Sequence, residues 1–340
     1  MDFKEYIELH RNEIYSTICS YLPLKKPEEF YGIMRDYVDR QGSYRRPGLV
    51  LLSGQLFGAS TDDLILSASA EQLSEDWILM QDDTEDDSEL RRGKPAAQKL
   101  YGWVHTMNAS NMGHMAMWRM LNDYTVKVGA EKGKRMFDKF YNMLEYTVEG
   151  QHIENQFIHY TKDLSKVSEE FYMRIVESKT CYYTVYGPLQ IGAIAADQPD
   201  SVLAMLKDIG HDAGVAFQIT DDVLDMAGDE AKFGKKNFGD LYEGKVTLMI
   251  LRAREQATEA EKAKIDAIYR KKRSEKTNDE ISFLKDVIEK YDGIAYARGR
   301  AKQFGENAEQ KINEYKSKLP QNEYTDIMLS AVEGLYVREK

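Results

Sequence analysis

Along nearly the whole 340-residue chain, apolar side chains recur at three- and four-residue spacing, and only seven prolines interrupt them. That period buries one stripe of each helix. The alternation that a half-buried strand needs is almost absent. The fold class that follows is all-α. The pattern predicts helices at roughly 2–20, 27–40, 47–58, 62–87, 97–127, 130–158, 168–196, 199–228, 244–270, 276–291, 293–317 and 320–338. Pro188 falls inside one of them and predicts a kink. No composition shift marks a boundary, so a single domain over 1–340 is the simplest organisation.

Helical periodicity gives meaning to Leu79-Met80-Gln81-Asp82-Asp83-Thr84-Glu85-Asp86-Asp87, followed by Arg91, Arg92, Gly93 and Pro95. On a helix, Asp82 and Asp86 lie one turn apart on one face, with Asp83 beside them. Folding alone does not ask for this, because like charges at that spacing repel. A hard divalent cation resolves the repulsion, and a phosphate completes the shell of Mg²⁺ held by so few carboxylates. Arg91 and Arg92 lie within reach of the same anion. The spacing recurs at Asp221, Asp222 and Asp225, 139 residues on (221 minus 82). Here the flanks Val215 to Ile219 and Val223-Leu224 are apolar, and an unneutralised acidic trio in such a helix is costly. Two such clusters facing one cavity make a polynuclear Mg²⁺ site for a diphosphate.

Other cations carry the same interest. Arg45 and Arg46 precede Pro47 at a helix start, where positive charge opposes the helix dipole and an anion relieves it. Lys179-Thr180 sits in largely apolar surroundings, where a lysine needs either an anion or a route to water. Residues 228–245 hold four glycines and four lysines in 18 residues, a loop suited to folding over phosphates. The six histidines show no zinc spacing, and neither a GxSxG nor a Walker-type motif is present. A net charge of −11 argues against a nucleic-acid partner. The two cysteines, Cys19 and Cys181, give no disulfide framework and point to a reducing, cytoplasmic compartment. The first eleven residues lack the apolar core of a signal peptide.

Taken together, the pattern resembles the trans-polyprenyl diphosphate synthase family, the farnesyl and geranylgeranyl diphosphate synthases. The matching pieces run in the family's order: Arg46-Pro47, Asp82 to Asp86, Arg91-Arg92-Gly93, Gln151, Lys179-Thr180, Phe217-Gln218 with Asp221 to Asp225, Gly234-Lys235 and Glu243-Gly244-Lys245. The resemblance implies an isoprenoid-synthase-type bundle of mostly antiparallel helices around a central apolar cavity, usually a homodimer. It implies that Asp82 and Asp86 bind two Mg²⁺ ions and Asp221 a third, with Asp222 and Asp225 behind them. Arg91, Lys179 and Lys235 then hold an allylic diphosphate, while Arg46 and Arg92, with Arg45 nearby, hold isopentenyl diphosphate. Lys245, Gln218 and the Thr180 carbonyl steady the cation that forms when the allylic diphosphate departs. In the family the residues four and five before the first Asp form the cavity floor. Here they are Ile78 and Trp77, which implies a short product of C15 to C20, with C20 favoured.

Departures cluster at one place. Where the family reads Gly-Lys-Arg-x-Arg-Pro, Ser43 and Tyr44 follow Gly42. Seven residues before Asp82, where the family often has His or Gln, stands Glu75. Two other functions stay open beside chain elongation. One is a terpene-cyclase-like lyase, disfavoured by the second aspartate motif. The other is a non-catalytic partner subunit, disfavoured by retention of both motifs.

Overall fold

A computed structural model describes residues 1–227 and 238–336. The chain runs α1 (Phe3–Tyr21), α2 (Glu28–Asp39), α3 (Arg45–Leu56), α4 (Thr61–Glu85), the short strands β1 (Leu90–Arg91) and β2 (Lys94–Pro95), α5 (Ala97–Tyr101), α6 (Trp103–Val128) and α7 (Ala130–Asn155). It continues through α8 (Glu169–Ile175), α9 (Gly187–Ala195), α10 (Asp200–Ala227), α11 (Gly239–Glu243), α12 (Leu248–Gln256), α13 (Glu259–Tyr269), α14 (Asn278–Lys290), α15 (Gly293–Tyr315) and α16 (Glu323–Tyr336). The all-α class is what the apolar periodicity predicts.

The differences are local and have local causes. The helix expected over 97–127 breaks at Gly102, whose φ of 77° ends α5 and opens α6. The helix expected over 244–270 divides because Thr258 and Glu261 form a capping box that restarts it as α13. Between α8 and α9 the chain does not break. Val176–Tyr186 widens into 11 residues of π-helix, and Pro188 sits in the first turn of α9. The irregularity expected at Pro188 thus lies ahead of it, in the widened stretch.

α4 packs along α6, α3 along α9, and α10 along both the π-helical stretch and α15. α10 ties two groups of core side chains together. Leu203, Leu206, Ile209 and Ala213 join the first, with Leu49, Leu52 and Leu73. Val215, Ile219 and Val223 join the second, with Leu248, Ile250 and Leu284. Around the π-helical stretch the packing is very close. A Cβ on Gly150 of α7 would stand 2.3 Å from Ser178 Oγ and 2.7 Å from the Lys179 backbone nitrogen.

The hairpin after α4 was not legible as strands. Its two-residue turn is Arg92-Gly93, with φ of 53° and 73°, and positive φ at both positions is what a tight antiparallel turn demands. The consequence for the site is specific. Arg91 and Arg92, adjacent in sequence, reach α4 about two turns apart, roughly 10 Å along the helix axis.

Candidate active site

A cavity of about 400 Å³ opens between α4, α7, the π-helical stretch and α10. Helical period decides which α4 residues face it. Leu79 and Glu75 stand about 60° and about 20° around the helix from Asp82, and all three line the cavity. Trp77 is about 140° away. From α10 come Phe217, Gln218, Asp221, Asp222 and Asp225, so the second aspartate motif faces the first across the space. Asp86 lies in an adjoining recess shared with Asp82, Arg91, Asp225, Asp240, Glu243 and Lys245.

Lysines pair with the first motif. Lys179 Nζ lies 3.0 Å from Asp82 Oδ1 and also meets Glu154 Oε2 of α7. Lys245 Nζ lies 2.9 Å from both Asp86 Oδ2 and Glu243 Oε2, and 3.8 Å from Asp240 Oδ1. The charges act unequally on the two aspartates. Burial works against ionisation of Asp82, but Lys179, Lys245 and Arg91 outweigh it and hold its carboxyl below the usual range. At Asp86 burial prevails over Lys245, helped by the Asp82 and Glu243 charges, and pushes the carboxyl up to about 7. Burial also opposes the charge on Lys179 and Lys245. The carboxylates around them raise both above the ordinary lysine value.

On α10, Asp222 accepts hydrogen bonds from Tyr172 (Oη to Oδ2, 2.7 Å) and Gln218 (Nε2 to Oδ1, 2.7 Å). Burial pushes it up to about 7. Asp225 accepts from the Asp240 backbone N–H at 3.2 Å. Both therefore line the cavity with an oxygen already bonded to a protein group, while Asp221 is the exposed member of the three. Gln218, expected to steady a cation, directs its amide N–H to Asp222.

Asp83 departs from its expected place among the metal ligands. It is fully buried, receives Arg91 at 2.8 Å (Nε) and 2.5 Å (Nη2), and accepts a 2.6 Å hydrogen bond from Tyr37. It lines neither the cavity nor the recess. Being next to Asp82 turns it about 100° away, toward the hairpin, where it fixes Arg91. Arg91 in turn stays 3.7 Å from Asp82 Oδ2. Trp77, expected in the cavity floor, is not among the residues that line the cavity. It faces α6, where its ring packs on His114 with centroids 4.5 Å apart and planes tilted by 33°, and its carbonyl accepts from Ser110 Oγ. Ile78 is half-buried against the core, and Leu79 supplies the cavity wall.

The two arginines expected at the second diphosphate are held firmly. Arg46 Nη1 is 3.1 Å from Glu75 Oε2, Nη2 donates to Thr184 Oγ1 at 2.9 Å, and the guanidinium lies 4.7 Å over the Tyr183 ring. Arg92 Nη1 is 2.9 Å from Asp76 Oδ1 and donates to the Tyr37 carbonyl at 2.5 Å, while Nη2 is 3.6 Å from Glu75 Oε1. Arg45 is half-buried at the start of α3. Burial pulls its pKa below the ordinary value, opposed by the charge of Asp221. Lys235 and most of the 228–245 loop lie outside the described residues.

Several participants escape sequence reasoning. Tyr37, Tyr172 and Glu71 hold or flank the site, yet no motif contains them. Among the described residues, no three His, Cys, Asp or Glu side chains by themselves form a cation cage. The donor set still fits Mg²⁺ carried with a diphosphate. All its donors are hard oxygens, and Asp86 Oδ1 is buried without a hydrogen-bond partner.

Comparison with known proteins agrees with this geometry. Residues 27–287 match the family model described as polyprenyl synthetase. Geranylgeranyl diphosphate synthase of Sulfolobus acidocaldarius is 27% identical over 93% of either chain. That of Methanosarcina mazei is 30% identical over 75% of this chain and 77% of its own. The crystal structure of geranylgeranyl pyrophosphate synthetase from Pyrococcus horikoshii Ot3 superposes with a TM-score of 0.83 at 27% identity, covering 99% of this chain and 97% of that one. The chain therefore belongs to the polyprenyl synthetase family and is a short-chain trans-prenyltransferase.

Proposed function

We propose that the chain condenses an allylic diphosphate with isopentenyl diphosphate to a trans-prenyl diphosphate of C15 to C20, with C20 favoured. The observation that carries this reading is two acidic faces, Asp82 with Asp86 and Asp221 with Asp225, opposed across one space with Lys179, Lys245 and Arg91 around it. Asp82, Asp86 and Asp221 would hold the metal, for which we propose three Mg²⁺. When bound, these ions take up negative charge on the departing diphosphate.

The chain's own groups do the rest. Lys179 and Arg91 hold the allylic diphosphate and meet the charge that grows as the allylic C–O bond breaks, a fixed electrostatic contribution that needs no reorganisation. Lys245 sits at the mouth of the recess beside Asp86. Arg46 and Arg92 bind isopentenyl diphosphate so that its alkene attacks the allylic carbon. The proton then lost goes to the departing pyrophosphate, so no protein base is required. Leu79, Ile175, Val176 and Phe217 line the apolar part of the cavity and keep water from the cation. Trp77 and His114 seal the seam between α4 and α6, where a growing chain would have to pass.

We also place the enzyme in the cytoplasm and read it as a homodimer. Trp103, Met115, Phe137 and Tyr141 are exposed along α6 and α7 and support that assembly. The test is incubation with Mg²⁺, isopentenyl diphosphate and C5, C10 or C15 allylic diphosphates, followed by product sizing. A C20 diphosphate is expected. A hydrocarbon from the allylic substrate alone would indicate a lyase instead, and no turnover without a second protein would indicate a partner subunit.

A further inference from the structure

The second substrate's arginines do not face open space; they face a carboxylate of the protein itself. Glu75 lines the cavity, with one oxygen 3.1 Å from Arg46 and the other 3.6 Å from Arg92. It is buried, yet the two guanidinium groups outweigh burial and keep its carboxyl below the usual range. We infer that Glu75 stands in for an anion between Arg46 and Arg92 and thereby sets the affinity for the second diphosphate, making it a specificity-determining residue. The inference rests on the assignment of that position to isopentenyl diphosphate.

Three observations support it. First, neither arginine needs Glu75 to stay in place. Arg46 keeps Thr184 and the Tyr183 ring, and Arg92 keeps Asp76 and the Tyr37 carbonyl. The glutamate is therefore a competitor for these cations more than their scaffold. Second, both guanidinium groups keep unused donors. Arg46 Nε and Arg92 Nη2 are buried without a hydrogen-bond partner, and a buried donor left so is costly. An oxyanion arriving between them would satisfy these donors. Third, the local charge is already spent. Asp76 also lies against Arg92, and Glu71, fully buried one turn below Glu75, has both oxygens without a hydrogen-bond partner. Two cations thus face two carboxylates, Glu75 and Asp76, while Glu71, pushed up to about 8 by burial, stands behind them as a neutral acid. A diphosphate entering here must displace Glu75 or bear its repulsion.

Glu75→Gln keeps the shape and removes the charge. Isopentenyl diphosphate binding is measured by calorimetry on the full chain in EDTA, beside the KM for each substrate with Mg²⁺. Glu75→Gln is expected to tighten isopentenyl diphosphate at least about tenfold, equivalent to about 1.4 kcal/mol. The KM for the allylic diphosphate should stay within about twofold, since Lys179 and Arg91 are untouched. Glu75→Ala serves as a second variant should the glutamine form fail to fold. Unchanged or weaker isopentenyl diphosphate binding would overturn the inference. So would a parallel change in both substrates' constants, which a structural role would give. If wild type does not elongate but Glu75→Gln still binds more tightly, the assigned activity fails while the role of Glu75 stands.

Discussion

Lys245 is the sharpest place to perturb the site, because one ammonium serves three carboxyl groups. Lys245→Met keeps the length and removes the charge. Glu243 retains Arg273 at 2.5 Å, and Asp240 is 3.8 Å away. Asp86 has no other ion pair among the described residues. Removing one partner of a buried pair costs about 3–5 kcal/mol, and the lower end applies because Lys245 is about one-fifth exposed. A 340-residue chain unfolds with an entropy near 0.7 kcal/mol/K, so ~3 kcal/mol lowers Tm by ~4 °C. The sign of the pH dependence follows from Asp86. Its folded carboxyl is raised to about 7 from 3.8, so the native state holds the extra proton, and stability declines as pH rises through that window. Losing Lys245 raises the carboxyl further. The variant's deficit should then be full near pH 8 and at most about half as large near pH 6, where Asp86 is neutral. Circular-dichroism melts of both proteins in EDTA read this directly. Equal deficits at the two pH values, or a loss under about 1 °C near pH 8, would refute the reasoning.

Asp82→Ala and Asp221→Ala should each lower kcat at least about a hundredfold, since each removes a ligand from where charge develops; near-normal rates in both would disprove the metal assignment. Trp77→Ala should lengthen the product by opening the α4–α6 seam, and chromatography of unchanged products would remove Trp77 from any role in length control. Gly150→Ala should cost about 1–3 kcal/mol by overpacking and lower kcat along with Tm, because its Cβ drives against Ser178 and the Lys179 backbone; a normal kcat would mean that Lys179 need not hold its position.

What could be read ahead of the structure follows from the range over which each interaction acts. Helical period alone put Asp82 and Asp86 on one face, and the repeated spacing pointed to the opposite wall. The same period, applied to the neighbours of Asp82, also turns Asp83 toward the hairpin and Trp77 toward α6. Those two orientations depend on where β1, β2 and α6 pack, which local spacing does not encode. The separation of Arg91 from Arg92 likewise arises from a turn with two positive φ angles. Tyr37 and Tyr172 reach Asp83 and Asp222 from 46 and 50 residues away. Buried tyrosines are ordinary core residues in a sequence, and only their hydroxyl partners distinguish them. Glu71 offered one signal, an acid in the middle of an apolar-patterned helix.

The widened coil from Val176 to Tyr186 means that this wall cannot be shortened by a single codon without harm. Excising Cys181 without a compensating change of pitch would swing one side of the cut by about 100° against the other. Lys179 could then no longer meet Asp82 while Tyr183 lies under Arg46, so the spacing of the two substrate positions is written into the pitch of this stretch.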